Sequence, residues 1–73
     1  MVLQVRFQSR VKEELAKRNW SQSQLAETMQ VGRSFVSDYV SGRRSPGLKV
    51  IERFAVALEI DPADLLHETV SVN

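Results

Sequence analysis

Three arginines in the middle of the chain are the residues best suited to bind a ligand. Arg33 stands immediately before the run SFVSDYV, and Arg43 and Arg44 follow that run within a short turn. A guanidinium carries a fixed fork of hydrogen-bond donors that matches phosphate oxygens or the edge of a guanine. These side chains therefore indicate an anionic partner.

The charges are distributed unevenly along the sequence. Residues 1–53 contain all ten basic groups and five acids, a net charge of +5, whereas residues 54–73 contain four acids and no lysine or arginine, a net charge of −4. The whole chain carries only +1. Such asymmetry is a pointer to nucleic-acid contact, although a solvated basic surface gives the same pattern.

The sequence offers no constellation of residues for catalysis. His67 is the only histidine and there is no cysteine, so neither a metal site nor a nucleophilic triad is expected. No glycine-rich loop that could cradle a phosphate is present. Glu13 and Glu14 are expected to be surface acids of a helix. We therefore expect no catalytic residues, no metal, no small-molecule cofactor and no enzymatic activity.

The length of the chain limits it to one hydrophobic core. For 73 residues we expect a single domain over 1–73, with its core over about 7–66. A composition of 42% hydrophobic and 26% charged residues is typical of a folded globular chain. No apolar run approaches the roughly 20 residues of a membrane span, and no signal peptide is visible. The sequence predicts a soluble cytoplasmic protein without a membrane partner.

Hydrophobic spacing predicts the first two helices. Apolar residues recur every four positions on a helix that runs to about Arg18. The stretch WSQSQL then contains a capping box, with Ser21 as the N-cap and Gln24 three residues later. The predicted inward residues are Phe7, Val11 and Leu15 in the first helix and Leu25, Ala26 and Met29 in the second.

A third helix is predicted over residues 33–41, with Val36, Tyr39 and Val40 turned inward and Gly42 ending it. Only residues 30–32 separate it from the second helix. A connection that short forces the two helices into close contact at a steep angle, which is the geometry of a helix-turn-helix.

Two more helices complete an all-α fold, a compact bundle of five short helices. The fourth covers about residues 48–58 and carries a broad apolar stripe. The fifth opens with Asp61 as the N-cap and Pro62 at its first position. Residues 68–73 are expected to form a frayed tail. The predicted inward stripe of the fourth helix is Leu48, Ile51, Phe54, Ala55 and Leu58.

The stretch WSQSQLAETMQVGRSFVSDYVSGRRSP, residues 20–46, resembles the Cro/CI-type (lambda-repressor-like) helix-turn-helix family. The resemblance continues through LKVIERFAVALEIDPADLL, to about residue 66. Small Ala26 at the helix contact, Val36 and Tyr39 as buried anchors, and the SQxxLA opening all fall at the family's spacing. The resemblance implies a sequence-specific DNA-binding transcriptional regulator of the repressor or controller type.

Three positions depart from the family pattern. Asn19, Gln30 and Glu59 stand where the family commonly carries glycine. A left-handed backbone at Gln30 would cost on the order of 1 kcal/mol, so either the domain tolerates that cost or the turn is remodelled.

The resemblance implies that the third helix enters the major groove and that Arg33, Ser34, Ser37 and Asp38 face the bases. Arg33 can bond O6 and N7 of one guanine, which discriminates by about 1–3 kcal/mol. The two serines contact bases or phosphates, or are merely surface. Asp38 either accepts from a cytosine amino group or orients Arg33 or a neighbouring arginine. Phe35 either contacts a thymine methyl or helps to bury the helix.

The resemblance also implies a set of phosphate contacts. Gln22, with Ser23, lies at the start of the second helix, where backbone amides and the helix dipole attract an anion. Arg43 and Arg44 lie on the turn that follows the third helix, and Ser41 can add a hydroxyl. Contacts of this kind supply affinity and carry no sequence information.

The expected partner is double-stranded DNA, bound by a homodimer on two half-sites one helical turn apart. An alternative function is a protein-interaction module of the same fold, antitoxin-like or adaptor. Alternating valines and leucine at the two ends could pair as strands across a dimer. The candidate interface residues are Val50, Val56, Ala57 and Ile60 around the fourth helix, and Val2, Leu3, Val5, Val70 and Val72 at the ends.

Overall fold

The computed structural model describes residues 3–66, and side chains for residues 7–65. Within this range the chain forms five helices and no strand, which confirms the predicted all-α bundle. The predicted tail over 68–73, His67, Val2, Val70 and Val72 lie outside the described residues. The helices are α1 (Leu3–Arg18), α2 (Gln22–Met29), α3 (Arg33–Val40), α4 (Leu48–Leu58) and α5 (Pro62–Leu66).

Helix α1 begins earlier than its apolar spacing indicates. It starts at Leu3, so Leu3 and Val5 belong to a helix and the suggestion that they pair as a strand is wrong. Nothing in the first residues breaks a helix, since the first glycine of the chain is Gly32 and the first proline is Pro46. A two-residue alternation of valine and leucine is too short to distinguish a strand from a helix.

One core holds the helices together, and it is formed by the predicted apolar stripes. Leu48 is the exception, because its side chain is 66% exposed although its spacing placed it inward. It is the first residue of α4, and helical side chains lean toward the N-terminus, so it projects past the end of the packed surface. The buried hydrophobic residues are Phe7, Val11, Leu15, Leu25, Ala26, Met29, Val36, Tyr39, Val40, Ile51, Phe54, Ala55, Leu58 and Leu65.

The starts of α2 and α5 are those that the sequence predicts. Ser21 Oγ accepts a hydrogen bond from the Gln24 backbone amide at 3.2 Å, and Gln24 Oε1 accepts one from the Ser21 amide at 2.7 Å. These two bonds are the reciprocal contacts of a capping box. At α5, Asp61 Oδ1 accepts from the Ala63 amide at 3.0 Å, as an N-cap does.

Three helices end in the same way, on a left-handed residue that is not glycine. In each case the residue after the left-handed one donates its backbone amide to the carbonyl five residues before it. The apolar side chain of this donor residue packs against the core. The structure therefore keeps the turns and accepts the backbone cost. The left-handed residues are Asn19, Gln30 and Glu59, at φ of 60°, 62° and 58°, followed by Trp20, Val31 and Ile60.

An acid that the sequence placed on the surface is buried. Glu14 is only 3% exposed and lies at the centre of an ion-pair network. Arg18 Nη1 donates to Glu14 Oε1 at 2.6 Å, and Arg18 Nη2 donates to the carbonyl of Leu58 at the end of α4. Arg10 and Lys17 approach the other carboxylate oxygen at 3.4 Å. The hydrogen bond from Arg18, with the nearby Lys17 and Arg10 charges, outweighs burial and lowers the pKa of Glu14.

We expect this network to make the fold sensitive to acid. The lowered pKa of Glu14 contributes stability that is fully present above its ordinary pKa of 4.5 and is lost as the pH falls through the lowered value. Glu14→Gln should cost about 1.5–3 kcal/mol at pH 7, because it removes hydrogen bonds to a charged group, and should flatten the loss of stability between pH 5 and pH 3. Urea unfolding at each pH measures both effects.

The matched control is Glu13→Gln, the same change in an acid whose side chain is 61% exposed. Its pH profile should follow that of the native chain, because an exposed ion pair contributes little. Equal pH profiles for Glu14→Gln and the native chain would contradict the role given to the network.

The left-handed turn between α2 and α3 generates a second expectation. Gln30→Gly should raise the free energy of unfolding by about 0.5–1 kcal/mol, because relief of the left-handed strain exceeds the extra entropy of glycine in the unfolded chain. Glu27→Gly, in the interior of α2, should lower it by about 0.5–1 kcal/mol. Urea unfolding of the two variants checks the opposite signs, and a loss of stability in both would show that Gln30 is not strained.

Candidate nucleic-acid interface

Helices α2 and α3 are joined at close range. Ala26 is 3% exposed where the two helices meet, and its carbonyl accepts a hydrogen bond from the Val31 amide at 3.0 Å. A larger side chain at Ala26 would push the helices apart, because protein cores are close-packed. The turn and the contact together set the direction in which α3 leaves the body of the protein.

Helix α3 has one buried and one exposed side. Val36, Tyr39 and Val40 face the core, as predicted. Arg33 and Ser34 are exposed at the opening turn, and Ser37 and Asp38 lie one turn farther along and are partly exposed. The four polar residues that sequence reasoning selected are therefore on the side of α3 that a ligand can reach.

Arg33 is exposed and available at the start of α3. Its side chain makes no hydrogen bond or ion pair with residues 7–65, the part of the chain whose side chains the structure describes. Ser37 lies four residues later, on the same side of the helix. The guanidinium of Arg33 can therefore be directed to a partner at the opening of α3.

Arg43 folds back onto this same side of α3. Its Nε donates to Asp38 Oδ1 at 3.0 Å, and its Nη2 approaches Ser37 Oγ at 3.5 Å. Arg43 thus contacts the side of α3 to which Arg33, four residues before Ser37, also belongs. Asp38 thus pairs with a neighbouring arginine, and its role toward DNA stays a prediction.

The turn after α3 is held in place by several contacts. Gly42 has a left-handed backbone at φ 88°, and a Cβ there would lie 2.7 Å from Gln8 Nε2 of α1. The Arg44 amide donates to the Asp38 carbonyl at 3.1 Å, and its guanidinium lies 5.9 Å from the centre of the Tyr39 ring. Gly42 is required at this position both for its backbone conformation and for the space that it leaves.

The far flank of α3 is packed by aromatic rings. Phe35 is half-buried, with its ring centre 5.1 Å from that of Tyr39 and 6.5 Å from that of Phe54. The Arg53 guanidinium lies 5.6 Å from the Phe35 ring centre, and Arg53 donates to the Met29 carbonyl at 3.4 Å. Phe35 therefore packs α3 against α4, the second of its two proposed roles.

Sequence reasoning missed two residues that position the site. Arg53 joins the end of α2 to the flank of α3, and Gln8 packs beneath the turn at Gly42. No local pattern marks either residue, because each contact joins elements that are distant in sequence. Only the tertiary structure could identify them.

The start of α2 exposes backbone amides next to a glutamine and a serine. Gln22 and Ser23 are its first two residues, the former partly exposed and the latter exposed. Ser41 is exposed at the other end of α3, where its hydroxyl donates to the Asp38 carbonyl at 3.4 Å. These residues have the exposure that phosphate contacts require.

Comparison with known proteins identifies the family to which the chain belongs. The sequence profile of the family described as helix-turn-helix matches residues 11–65, which is most of the chain. The chain belongs to the helix-turn-helix family. This confirms the predicted Cro/CI-type resemblance and its function class, a DNA-binding transcription regulator and not an enzyme.

Two curated relatives of this helix-turn-helix chain are similar in sequence. The "Control protein C.BamHI" of Bacillus amyloliquefaciens is 40% identical over 55 residues, 75% of this chain and 68% of the relative. An "Uncharacterized HTH-type transcriptional regulator" of Archaeoglobus fulgidus is 48% identical over 44 residues, 59% of this chain. The matched part spans only 19% of the archaeal relative's length.

A solved structure shares the architecture. The crystal structure of the hypothetical transcription factor NHTF from Neisseria aligns with a TM-score of 0.83 at 28% identity, over 89% of this chain and 75% of that one. Within residues 3–66, no helix combines the length and hydrophobicity that a bilayer crossing requires. The same part of the chain holds no cluster of His, Cys, Asp or Glu suited to a metal ion.

Proposed function

We propose that this chain is a repressor or controller that acts in the cytoplasm by binding double-stranded DNA at a specific operator. Helix α3 lies in the major groove, and Arg33, Ser34 and Ser37 face the bases. The observation that carries the proposal is the exposed, unpaired guanidinium of Arg33, among the described residues, at the opening turn of a helix whose opposite side is buried. That turn is the part of a recognition helix that meets base edges.

Phosphate contacts are proposed on both sides of α3. The amides at the start of α2, with Gln22 and Ser23, hold one phosphate, because the positive end of a helix attracts anions. Ser41 and Arg44, at the end of α3 and on the following turn, hold another. These contacts fix the register of the protein on the duplex, and α3 reads the sequence.

A homodimer is proposed because one domain of this size presents a small surface to DNA. The exposed side of α4 is the proposed interface. Val56 is 74% exposed and Leu48 is 66% exposed, and such large apolar side chains gain most from being covered. A shallow groove beside Val56 is lined by both apolar and charged side chains, so a second copy bound there contacts both kinds. The residues that line the groove are Thr28, Met29, Lys49, Glu52, Arg53, Val56 and Ala57.

The reading of bases is tested first. The native chain should select one reproducible, two-fold symmetric site from a pool of random duplexes. Arg33→Ala should then lose about 1–3 kcal/mol of preference for that site over a scrambled duplex, because a bidentate contact to guanine is removed. Dissociation constants for the two duplexes, measured by fluorescence anisotropy at fixed salt, give this preference.

The charge-matched control is Lys12→Ala, which removes one positive charge from an exposed site of α1. It should leave the preference unchanged. A native chain that selects no sequence, or that binds duplexes without any dependence on salt, would instead support the protein-interaction alternative.

The dimer is tested at Val56. Val56→Glu should leave the helical circular dichroism unchanged, because the side chain is exposed, and should shift the sedimentation coefficient to that of a monomer, because a charge would be buried in the interface. Ala16→Glu introduces the same charged side chain at an exposed site of α1, and this variant should remain dimeric. An unchanged dimer in Val56→Glu would reject this surface.

A further inference from the structure

The position of Arg43 differs from that expected of a phosphate contact. A flanking clamp extends away from the recognition helix toward the DNA backbone. Here the side chain returns along α3, and its guanidinium lies next to Ser37 and Asp38. The guanidinium is thus presented on the same face as Arg33.

We propose that Arg43 reads a base in the major groove, and that Asp38 is the positioning residue that holds its guanidinium in place. The inference rests on the proposed function, because it assigns a second reading residue to the same helix. It replaces the phosphate role that the sequence resemblance implies for Arg43.

The geometry leaves the correct edge of the guanidinium available. Asp38 engages Nε at 3.0 Å, and the contact of Nη2 with Ser37 Oγ is long, at 3.5 Å. Nη1 has no hydrogen-bond partner among residues 7–65, whose side chains the structure describes. The two terminal nitrogens can therefore approach O6 and N7 of a guanine end-on, while Nε stays on the carboxylate.

The charges also favour a base over a phosphate. Asp38 and Arg43 form a pair with no net charge, and a carboxylate held 3.0 Å from Nε opposes the approach of a phosphate. The pair contributes little to folding, because the Arg43 side chain is 65% exposed and that of Asp38 is 34% exposed. Its effect is to restrict the arginine, which lowers the entropy lost when the arginine binds.

The backbone supports the same orientation. The left-handed Gly42 reverses the chain directly before Arg43, with the Gln8 side chain packed against it. The Arg44 amide bonds the Asp38 carbonyl at 3.1 Å and ties the turn to the end of α3. The backbone of Arg43 is therefore held in place by the turn, and its side chain reaches Ser37 from that position.

The test separates charge from geometry. Arg43→Lys keeps the positive charge but loses the planar fork, and Arg44→Lys is the matched control on the adjacent residue. The probes are the duplex that the native chain selects from a random pool and a scrambled duplex of the same composition. Arg43→Lys should reduce the preference for the selected duplex by about tenfold, as loss of a bidentate base contact does, with scrambled binding unchanged within about twofold. Arg44→Lys alters a proposed phosphate contact, so it should change binding to the selected and the scrambled duplex by the same factor and leave their ratio unchanged.

Asp38→Asn tests the positioning role. The substitution should strengthen binding to the scrambled duplex, because it frees the charge of Arg43. It should also weaken the preference for the selected duplex over the scrambled one. Repeating the random-pool selection supplies a readout that a purely structural role would not change. Asp38→Asn and Arg43→Lys should relax the same base pair of each half-site, and Arg33→Ala should relax a different one.

The outcomes of these experiments separate the reading role of Arg43 from the proposed DNA-binding function on which that role rests. A native chain that selects no site overturns both. A native chain that selects a site, together with an Arg43→Lys variant of unchanged preference, overturns only the reading role and restores the phosphate contact. Circular dichroism and thermal unfolding of each variant check that the fold is intact. We expect no change at Arg43 or Asp38, because neither side chain is buried.

Discussion

The close contact of α2 and α3 at Ala26 is the constraint on which the rest of the site depends. Two eight-residue helices are each too short to be stable alone, so their directions are set by packing. The three-residue connection closes with Gln30 in a left-handed backbone, at φ 62°. The strain is local, whereas the benefit is a fixed direction for every side chain on α3. An exposed recognition surface is therefore determined by buried residues.

Additional contacts hold α3 from its two flanks. On one side, Phe35 packs on Phe54, and Arg53 covers the Phe35 ring while bonding the last carbonyl of α2. On the other side, the turn at Gly42 rests on Gln8 of α1. Each flank uses a helix that contributes no residue to the proposed DNA contacts. This division gives α1 and α4 a supporting role in a domain whose proposed DNA contacts lie on α2, on α3 and on the turn after α3.

Much of this arrangement follows from the sequence because its signals are local. The capping box at Ser21, the apolar stripes and the short connection each depend on residues within a few positions of one another. The burial of Glu14 could not be predicted, because it requires Arg18 to reach the end of α4, forty residues away. The contact of Arg43 with Asp38 escaped prediction for a related reason, since the turn conformation decides whether the side chain points outward or back along the helix.

The structure also changes the meaning of the charge asymmetry. The excess of +5 over residues 1–53 suggested a broad basic surface. Arg10, Lys17 and Arg18 instead surround the single carboxylate of Glu14, and Asp38 neutralises Arg43. Of the three arginines on α3 and the turn after it, Arg43 is therefore paired with an acid, which reduces the positive charge that this surface offers to phosphates. Under the proposed function, directed contacts on α3 then supply the discrimination between DNA sequences, and the proposed pairing of two copies on one duplex supplies affinity.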